Sequence, residues 1–167
     1  MSDLNKQRPT DDAALIQAGY RYALSLTHDQ HDAEDLIQQA CLRVFKLKGK
    51  LGEKSYLFIT IRNLCIDRWR NQQRQATQQL GEHDELPDTT TSHIDVVNAR
   101  MDLEQLLSCL RFEEREVLFL NCVEGYSATE IGKITGKPRG TILSLLSRVK
   151  QKLNAQYGAQ KEVQNAE

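Results

Sequence analysis

Hydrophobic residues recur every three or four positions through most of the chain, which is the spacing of one face of an α-helix. One such stretch begins near Asp12, a second reads HDAEDLIQQACLRVFKL, and a third reads SYLFITIRNLCIDRWRNQQRQ. Asp32 and Ser55 are the predicted N-caps of the second and third helices. The predicted inward positions are Leu15, Ile16, Gly19, Tyr22, Ala23, Leu26, Ala33, Leu36, Ile37, Ala40, Cys41, Val44, Phe45, Leu57, Ile61, Leu64, Cys65 and Trp69.

The helical pattern stops over residues 76–99, which are polar and acidic and include a Pro and a Thr triplet. That composition is typical of a linker. The pattern then resumes at Met101, Leu103, Leu106, Leu107, Leu110, Val117, Leu118, Leu120 and Val123. No segment alternates with period two, so we predict an all-α fold of two small helical domains. They span residues 1–75 and 100–157, with a flexible linker over 76–99 and a disordered tail over 158–167.

The stretch SATEIGKITGKPRGTILSLLSRVKQKL predicts a pair of helices joined by a tight corner. Ser127 and Glu130 form a capping box at the start of the first helix. Gly136 ends it, and the fixed φ of Pro138 suits the first turn of the next helix. This order is typical of a helix-turn-helix, although a simple bundle corner is the competing interpretation.

The second helix of this corner has one apolar face and one polar face. Ile142, Leu146, Val149 and Leu153 are predicted to point inward, with Leu145 flanking them. The opposite face carries Gly140, Leu143, Ser144, Ser147, Arg148 and Gln151. Arg, Gln and Ser can address base edges in a DNA major groove, and Leu can meet a thymine methyl. The flanking cations Lys133, Lys137, Arg139, Lys150 and Lys152 favour phosphate contact over a mere bundle corner.

Charge is unevenly distributed along the chain. Its 22 basic and 23 acidic residues give a net charge of −1, yet residues 43–75 hold 9 basic and 2 acidic residues, a local charge of +7. Such a segment makes a local field for phosphates. No apolar run reaches the roughly 18 residues that a membrane span needs, so we expect a cytoplasmic protein without membrane insertion.

The candidate metal ligands and nucleophiles are scattered. Cys41, Cys65, Cys109 and Cys122 include no C-x-x-C pair and are predicted to be small core residues. We therefore expect no metal and no cofactor. No Ser/His/Asp, paired-carboxylate or Gly-rich phosphate-loop arrangement is present in the sequence, so the chain is predicted not to be an enzyme.

Three segments together resemble the extracytoplasmic-function (ECF) sigma factors, the small promoter-specificity subunits of bacterial RNA polymerase. DAEDLIQQACLRVFK resembles the family's region two, IRNLCIDRWR its following DNA-binding helix, and REVLFLNCVEGYSATEIGKITGKPRGTILSLLSRVK its region four. The resemblance implies that region two binds polymerase and the minus-ten promoter element, while region four reads the minus-thirty-five element. It also suggests an inhibitory anti-sigma partner.

The resemblance implies roles for individual residues. The polymerase-binding positions are Asp35, Gln38 and Gln39, with Gln39 standing where a Glu is usual. The region-two DNA-binding positions are Lys48, Lys50, Lys54, Ser55, Tyr56, Arg62, Asn63, Arg68 and Arg70. The recognition-helix positions are Arg139, Thr141, Leu143, Ser144, Ser147, Arg148 and Gln151.

Three further positions depart from the family in a way that bears on function. Tyr56 stands where a Trp is common, and it could stack on a base or belong to the core. Leu143 and Leu145 stand where relatives often have Arg or Lys, which suggests an atypical or A·T-rich upstream box. The alternative function is a stand-alone helix-turn-helix regulator with an N-terminal dimerisation or sensing lobe. A helical adaptor that binds only protein is a third, but neither alternative needs the cationic segment 43–75.

Overall fold

The structure is a computed structural model that describes residues 12–79 and 109–164, with side chains over 12–75 and 109–156. The chain divides into two compact units, Met1–His83 and Asp84–Glu167. Every regular element in the described residues is helical, and none of these residues lies in a β-strand. The all-α prediction is therefore confirmed.

The first unit packs three helices against one another: α1 (Asp12–Thr27), α2 (Gln30–Lys48) and α3 (Lys54–Gln79). Its centre is a stacked pair of rings, Tyr22 and Phe58, whose centroids are 4.5 Å apart. Burial of such aromatic rings contributes strongly to the stability of a small domain. Around them are buried the apolar side chains of Leu15, Ala18, Ala23, Leu26, Ala33, Leu36, Ile37, Ala40, Val44, Leu51, Leu57 and Ile61.

Two N-cap predictions in this unit are wrong. The carboxylate of Asp29 caps α2 by accepting from the backbone N–H of Asp32 at 2.8 Å, so Asp32 lies inside the helix. Helix α3 begins at Lys54, which places Ser55 within its first turn. In both places several polar residues precede the helix, and the pattern of apolar positions does not distinguish among them.

The predicted core of the first unit includes two residues that face solvent. Ile16 is 40% exposed and Phe45 is 59% exposed. Phe45 lies on the side of α2 that neither α1 nor α3 covers. Phe45 lies at the edge of the apolar stripe that the helical period predicts for α2. Helices α1 and α3 cover a narrower stripe of α2 than the one predicted.

The second unit contains α4 (Phe112–Leu118), a π-helical turn (Phe119–Val123), α5 (Ala128–Thr135) and α6 (Arg139–Gln164). Its apolar side chains are buried between α4, α5 and α6: Leu110, Val117, Leu120, Ile131, Ile134, Ile142, Leu145 and Val149. Leu146, predicted to point inward, is half-buried, whereas Leu145 is only 7% exposed.

The corner between α5 and α6 forms as the sequence indicates. The hydroxyl of Ser127 accepts from the N–H of Glu130, whose carboxylate accepts from the N–H of Ser127 at 2.8 Å. Gly136 ends α5 with a φ of 72°, a value that favours glycine. Pro138 directly precedes α6, and its carbonyl accepts from the N–H of Ile142 at 3.2 Å.

Two helices run beyond their predicted ends. Helix α3 continues to Gln79, past residue 75, and α6 continues to Gln164, past residue 157. Residues 80–108 lie outside the described residues, and so do most of the predicted linker and the helix predicted from Met101 to Leu107.

Candidate nucleic-acid and polymerase interfaces

Several predicted nucleic-acid residues of the first unit surround one groove between α2 and α3. The groove has a volume of about 540 Å³. It is lined by Arg43, Leu47, Tyr56, Ile59, Thr60, Arg62, Asn63, Ile66, Asp67 and Arg70. The predicted residues Tyr56, Arg62, Asn63 and Arg70 therefore meet at one site. Arg43 and Leu47 also line it, although neither is among the predicted site residues.

Tyr56 is half-buried at this groove, and the buried aromatic residue of α3 is Phe58. The ammonium group of Lys48, at the end of α2, lies 3.6 Å from the centroid of the Tyr56 ring. This distance is typical of a cation–π contact. The structure thus brings a predicted cation and a predicted stacking residue together across the loop between α2 and α3.

Arg68 does not line the groove. One of its guanidinium nitrogens donates to Asp32 Oδ1 at 2.9 Å, and another donates to Asp35 Oδ2 at 3.2 Å. Arg68 is one of the predicted DNA-binding residues of α3. The two carboxylates that hold it lie 36 and 33 residues upstream, and helical periodicity within α3 carries no information about that pairing.

The other predicted positions of this unit lie around the loop. Lys50 is exposed, and Ser55 is half-buried. Lys54 is half-buried, with its ammonium 5.6 Å from the centroid of the Phe58 ring. None of these three residues lines the groove.

The predicted polymerase-binding residues Asp35, Gln38 and Gln39 are all exposed on α2. Leu42 and Phe45 are 63% and 59% exposed, and their spacing from Gln38 puts them on the same side of the helix. Leu42 is not among the predicted site residues, and Phe45 is a predicted core residue. An exposed run of Leu and Phe beside polar side chains is a feature that could have indicated a protein-binding face.

The recognition helix presents its predicted face to solvent. All seven predicted DNA-binding residues on or near α6 are exposed: Arg139, Thr141, Leu143, Ser144, Ser147, Arg148 and Gln151. The hydroxyl of Ser144 donates to the carbonyl of Gly140 at 3.0 Å. Leu145 is buried, so the presence of Leu where relatives often have Arg or Lys concerns packing and not DNA contact.

Two of the lysines that flank the recognition helix are paired within the unit. Lys137 Nζ lies 2.7 Å from Glu113 Oε1, and Lys152 Nζ lies 2.7 Å from Glu114 Oε2. Both glutamates belong to α4, so the ion pairs connect α4 to the turn and to α6. These lysines therefore connect α4 to the recognition helix and to the turn before it, and their contact with phosphates stays a prediction.

The carboxylate of Glu114 is buried, with 5% of its side chain exposed. Burial opposes its ionisation, but the hydrogen bond from Lys152, the N–H of Arg111 and their positive charges outweigh burial. They hold the pKa of Glu114 below its ordinary value of 4.5. The pKa of Glu130 is also lowered, chiefly by its hydrogen bonds with Ser127.

The cysteines are free thiols, of which Cys41, Cys65 and Cys109 are half-buried and Cys122 is exposed. The prediction that all four lie in the core is therefore wrong for Cys122. Over residues 12–79 and 109–164, no three or more His, Cys, Asp or Glu side chains form a group that could hold a metal ion. Within the same ranges, no helix is long and apolar enough to cross a membrane.

Comparison with known proteins places both units in one family. Residues 14–75 match Sigma-70 region 2, and residues 100–153 match Sigma-70 region 4. The chain is 31% identical over 151 residues to the ECF RNA polymerase sigma factor SigL of Mycobacterium tuberculosis, covering 81% of this chain and 84% of SigL. It is 26% identical over 152 residues to the ECF RNA polymerase sigma factor EcfG of Rhodopseudomonas palustris, covering 87% and 82% of the two chains.

A solved structure shares the fold. The sigma factor RpoE of Bartonella quintana, crystallised with the anti-sigma factor NepR, superposes with a TM-score of 0.68 at 24% identity, covering 87% of this chain and 93% of RpoE. Two matched sigma regions in the family's order, together with a relative more than 30% identical over most of both chains, establish the relationship. The chain belongs to the ECF RNA polymerase sigma factors, which are not enzymes themselves but direct bacterial RNA polymerase to particular promoters.

Proposed function

We propose that the two units divide promoter recognition between them. The first, residues 1–75, binds core RNA polymerase and the opened minus-ten element. The second, residues 100–157, reads the minus-thirty-five element as duplex DNA. Residues 76–99 connect the two units, so that both contacts are made by one molecule and each raises the effective concentration of the other.

Polymerase binding is assigned to the outward side of α2. Asp35, Gln38 and Gln39 supply the polar contacts, and we add Leu42 and Phe45 as their apolar neighbours. This assignment is supported by the exposure of all five residues on one helix. A face that combines exposed Leu and Phe with amides and a carboxylate has the composition of a protein interface.

Capture of the nontemplate strand is assigned to the groove between α2 and α3. Single-stranded DNA is held by cations that meet the phosphates and by aromatic rings on which unstacked bases rest. The groove offers Arg43, Arg62 and Arg70 for the phosphates and Tyr56 for a base. We expect an entering base to displace Lys48 from the Tyr56 ring, which would leave its ammonium free for a phosphate. Asn63 also lines the groove, and Lys50, Lys54 and Ser55 extend the surface along the loop.

Reading of the minus-thirty-five element is assigned to α6. Arg139, Thr141, Leu143, Ser144, Ser147, Arg148 and Gln151 form its outward face. Leu143 is 43% exposed at a position where relatives often have a cation, so we infer a contact with thymine methyls and an A·T-rich upstream box. Leu143→Arg should change the preferred sequence of this box, as measured by selection of randomised upstream sequences. An unchanged affinity and preference would contradict the assignment.

We place the protein in the cytoplasm, where its polymerase works, and we expect an anti-sigma factor as its regulator. The relative from Bartonella quintana was crystallised with such an inhibitor. An anti-sigma factor that covered the exposed side of α2 would compete directly with polymerase. Competition between the two for this chain is therefore the expected form of regulation.

The observation that carries this proposal is the convergence of Tyr56, Arg62, Asn63 and Arg70 on one groove beside an exposed polymerase-binding helix. The test is transcription in vitro from promoter fragments, using the cognate core polymerase with and without this chain. Specific run-off transcripts that require the chain are expected. A chain that shifts duplex DNA alone at full affinity, yet yields no transcript with polymerase, would instead be a stand-alone regulator.

A further inference from the structure

Arg68 joins α3, which carries proposed DNA-binding residues, to the proposed polymerase-binding side of α2. It belongs to α3, the helix that supplies the DNA-binding cations, but its guanidinium faces α2 and donates to Asp32 and Asp35. Its side chain is 27% exposed, compared with 62% for Asp35. The Arg is therefore partly covered, while the carboxylate that it holds remains open to solvent.

The pairing leaves part of the Asp35 carboxylate available to a partner. Arg68 contacts Oδ2 of Asp35, whereas its other bond goes to Oδ1 of Asp32. A carboxylate has about four acceptor sites on its two oxygens, so one charged hydrogen bond does not saturate it. The contact does restrict the side-chain torsions of Asp35. A group already held in its bound rotamer loses less conformational entropy when a partner arrives.

We propose that Arg68 is a positioning residue for polymerase binding and not a DNA contact: it holds Asp35 in the orientation that core polymerase recognises. This proposal rests on the proposed role of Asp35. The proposal also explains the pairing by something other than stability, because ion pairs with carboxylates that are 50% and 62% exposed contribute little to folding. Removal of Arg68 should therefore weaken polymerase binding while leaving the fold intact.

The test measures the Kd between the full chain, fluorescently labelled, and its cognate core polymerase without DNA. Arg68→Ala should weaken binding about threefold to tenfold, the change expected from ordering one flexible side chain on binding. In an Asp35→Ala background the same change should have no further effect, because Arg68 acts through Asp35. Arg74→Ala removes an equal charge from an exposed position of α3 and should leave the Kd within about twofold.

Two further measurements separate positioning from other roles. Asp32→Asn weakens the shorter of the two bonds but keeps the contact between Arg68 and Asp35, so its Kd should stay near that of the parent chain. A loss of affinity equal to that of Arg68→Ala would mean that polymerase binding depends on the connection between α2 and α3 and not on the orientation of Asp35. The salt dependence of holoenzyme binding to a promoter should be the same for Arg68→Ala as for the parent chain. A slope reduced by about one would make Arg68 a phosphate contact and overturn the proposal.

The outcomes distinguish this inference from the function on which it rests. If Asp35→Ala leaves the Kd unchanged, the polymerase-binding face has been assigned wrongly. If Asp35→Ala weakens binding but Arg68→Ala does not, or if their effects simply add, the face stands and the positioning role of Arg68 is refuted. Circular dichroism at 222 nm confirms that each variant keeps its helices.

Discussion

The two units present positive charge in different ways. In the first unit, Arg43, Arg62 and Arg70 surround a groove that also contains an aromatic ring. In the second unit, Lys137 and Lys152 are paired with glutamates of α4, and the outward face of α6 is made of hydroxyls, an amide, two arginines and a leucine. A cationic groove with a ring suits an unstacked strand, whereas a helix with small polar side chains suits the major groove of a duplex.

This difference shows that a count of lysines and arginines does not reveal which of them pair with carboxylates of the same chain. Residues 43–75 carry a charge of +7, yet Arg68, which lies among them, is held by two carboxylates of α2. Lys137 and Lys152 flank the recognition helix, yet both connect it to α4. We therefore expect the carboxylates of neighbouring helices to influence which cations reach DNA.

The largest effect that should separate the units is the loss of a core side chain in one of them. Ile142 is fully buried, so Ile142→Ala should lower the free energy of unfolding of the second unit by about 2–5 kcal/mol. Urea unfolding followed by circular dichroism reports on both units, while the fluorescence of Trp69, the single tryptophan, reports on the first. The tryptophan transition should not move. Leu143→Ala, at the exposed neighbouring position, is the control and should change the free energy by less than about 0.5 kcal/mol.

A smaller effect is expected at the corner of the helix-turn-helix. A Cβ on Gly132 would lie 2.7 Å from the backbone carbonyl oxygen of Lys137, which side-chain movement cannot relieve. Gly132→Ala should therefore destabilise the second unit by about 1–3 kcal/mol. Gly140→Ala, whose Cβ would meet nothing within 4 Å, should stabilise the helix instead. If the two variants shift the thermal unfolding temperature in the same direction, the close approach of the Lys137 carbonyl to Gly132 does not determine the effect of a side chain at position 132.

The difference between the groove arginines and the paired lysines is tested by the salt dependence of promoter binding. Arg70→Ala should reduce the slope of log K against log salt by about one in holoenzyme binding to a promoter, because one phosphate contact is lost. Lys137→Ala should leave the slope unchanged, since that lysine is paired with Glu113. If instead Lys137→Ala lowers the slope and Arg70→Ala does not, the assignment of free and paired cations is wrong.

The smallest expected effect is a change in the free energy of unfolding at acid pH. The pKa of Glu114 is lower in the folded protein than in the unfolded chain, so its contribution to stability is present above about pH 4.5 and is lost as the pH falls through the lowered pKa. The stability difference between the parent chain and Glu114→Gln should thus be largest near pH 7 and shrink below pH 4.5. Urea titrations from pH 7 to pH 3 measure it, with the exposed Glu53→Gln as control. A difference that does not vary with pH would mean that the Lys152 pair does not hold the carboxylate ionised.

Much of the fold could be predicted because it depends on residues that are close together in the sequence. The capping box of Ser127 and Glu130 and the stop at Gly136 depend on residues that are close in sequence, and both are confirmed. The exposed face of α6 also follows from a single helical period. The ends of α3 and α6 were predicted too early, because a polar sequence ends an apolar stripe without ending a helix.

What the sequence could not reveal depends on contacts between helices. Arg68 pairs with carboxylates more than thirty residues away, and Lys152 pairs with Glu114 at a separation of 38 residues. Phe45 was predicted to be buried because it borders the apolar stripe, but its exposure is set by how closely α1 and α3 approach α2. The predicted groove residues were found through family resemblance, whereas Arg43 and Leu47 join them only through the packing of α2 on α3.

We propose that one chain holds an opened strand with its first unit and a duplex with its second, on the same promoter. The most direct measurement is site-specific photocrosslinking in the open complex, with a photoreactive phenylalanine analogue in place of Tyr56 or Leu143. We predict that the Tyr56 probe labels the nontemplate strand at the minus-ten element, only when polymerase is present, and that the Leu143 probe labels the minus-thirty-five element. Labelling of one element by both probes, or equal labelling by the Tyr56 probe without polymerase, would contradict this division of promoter contacts.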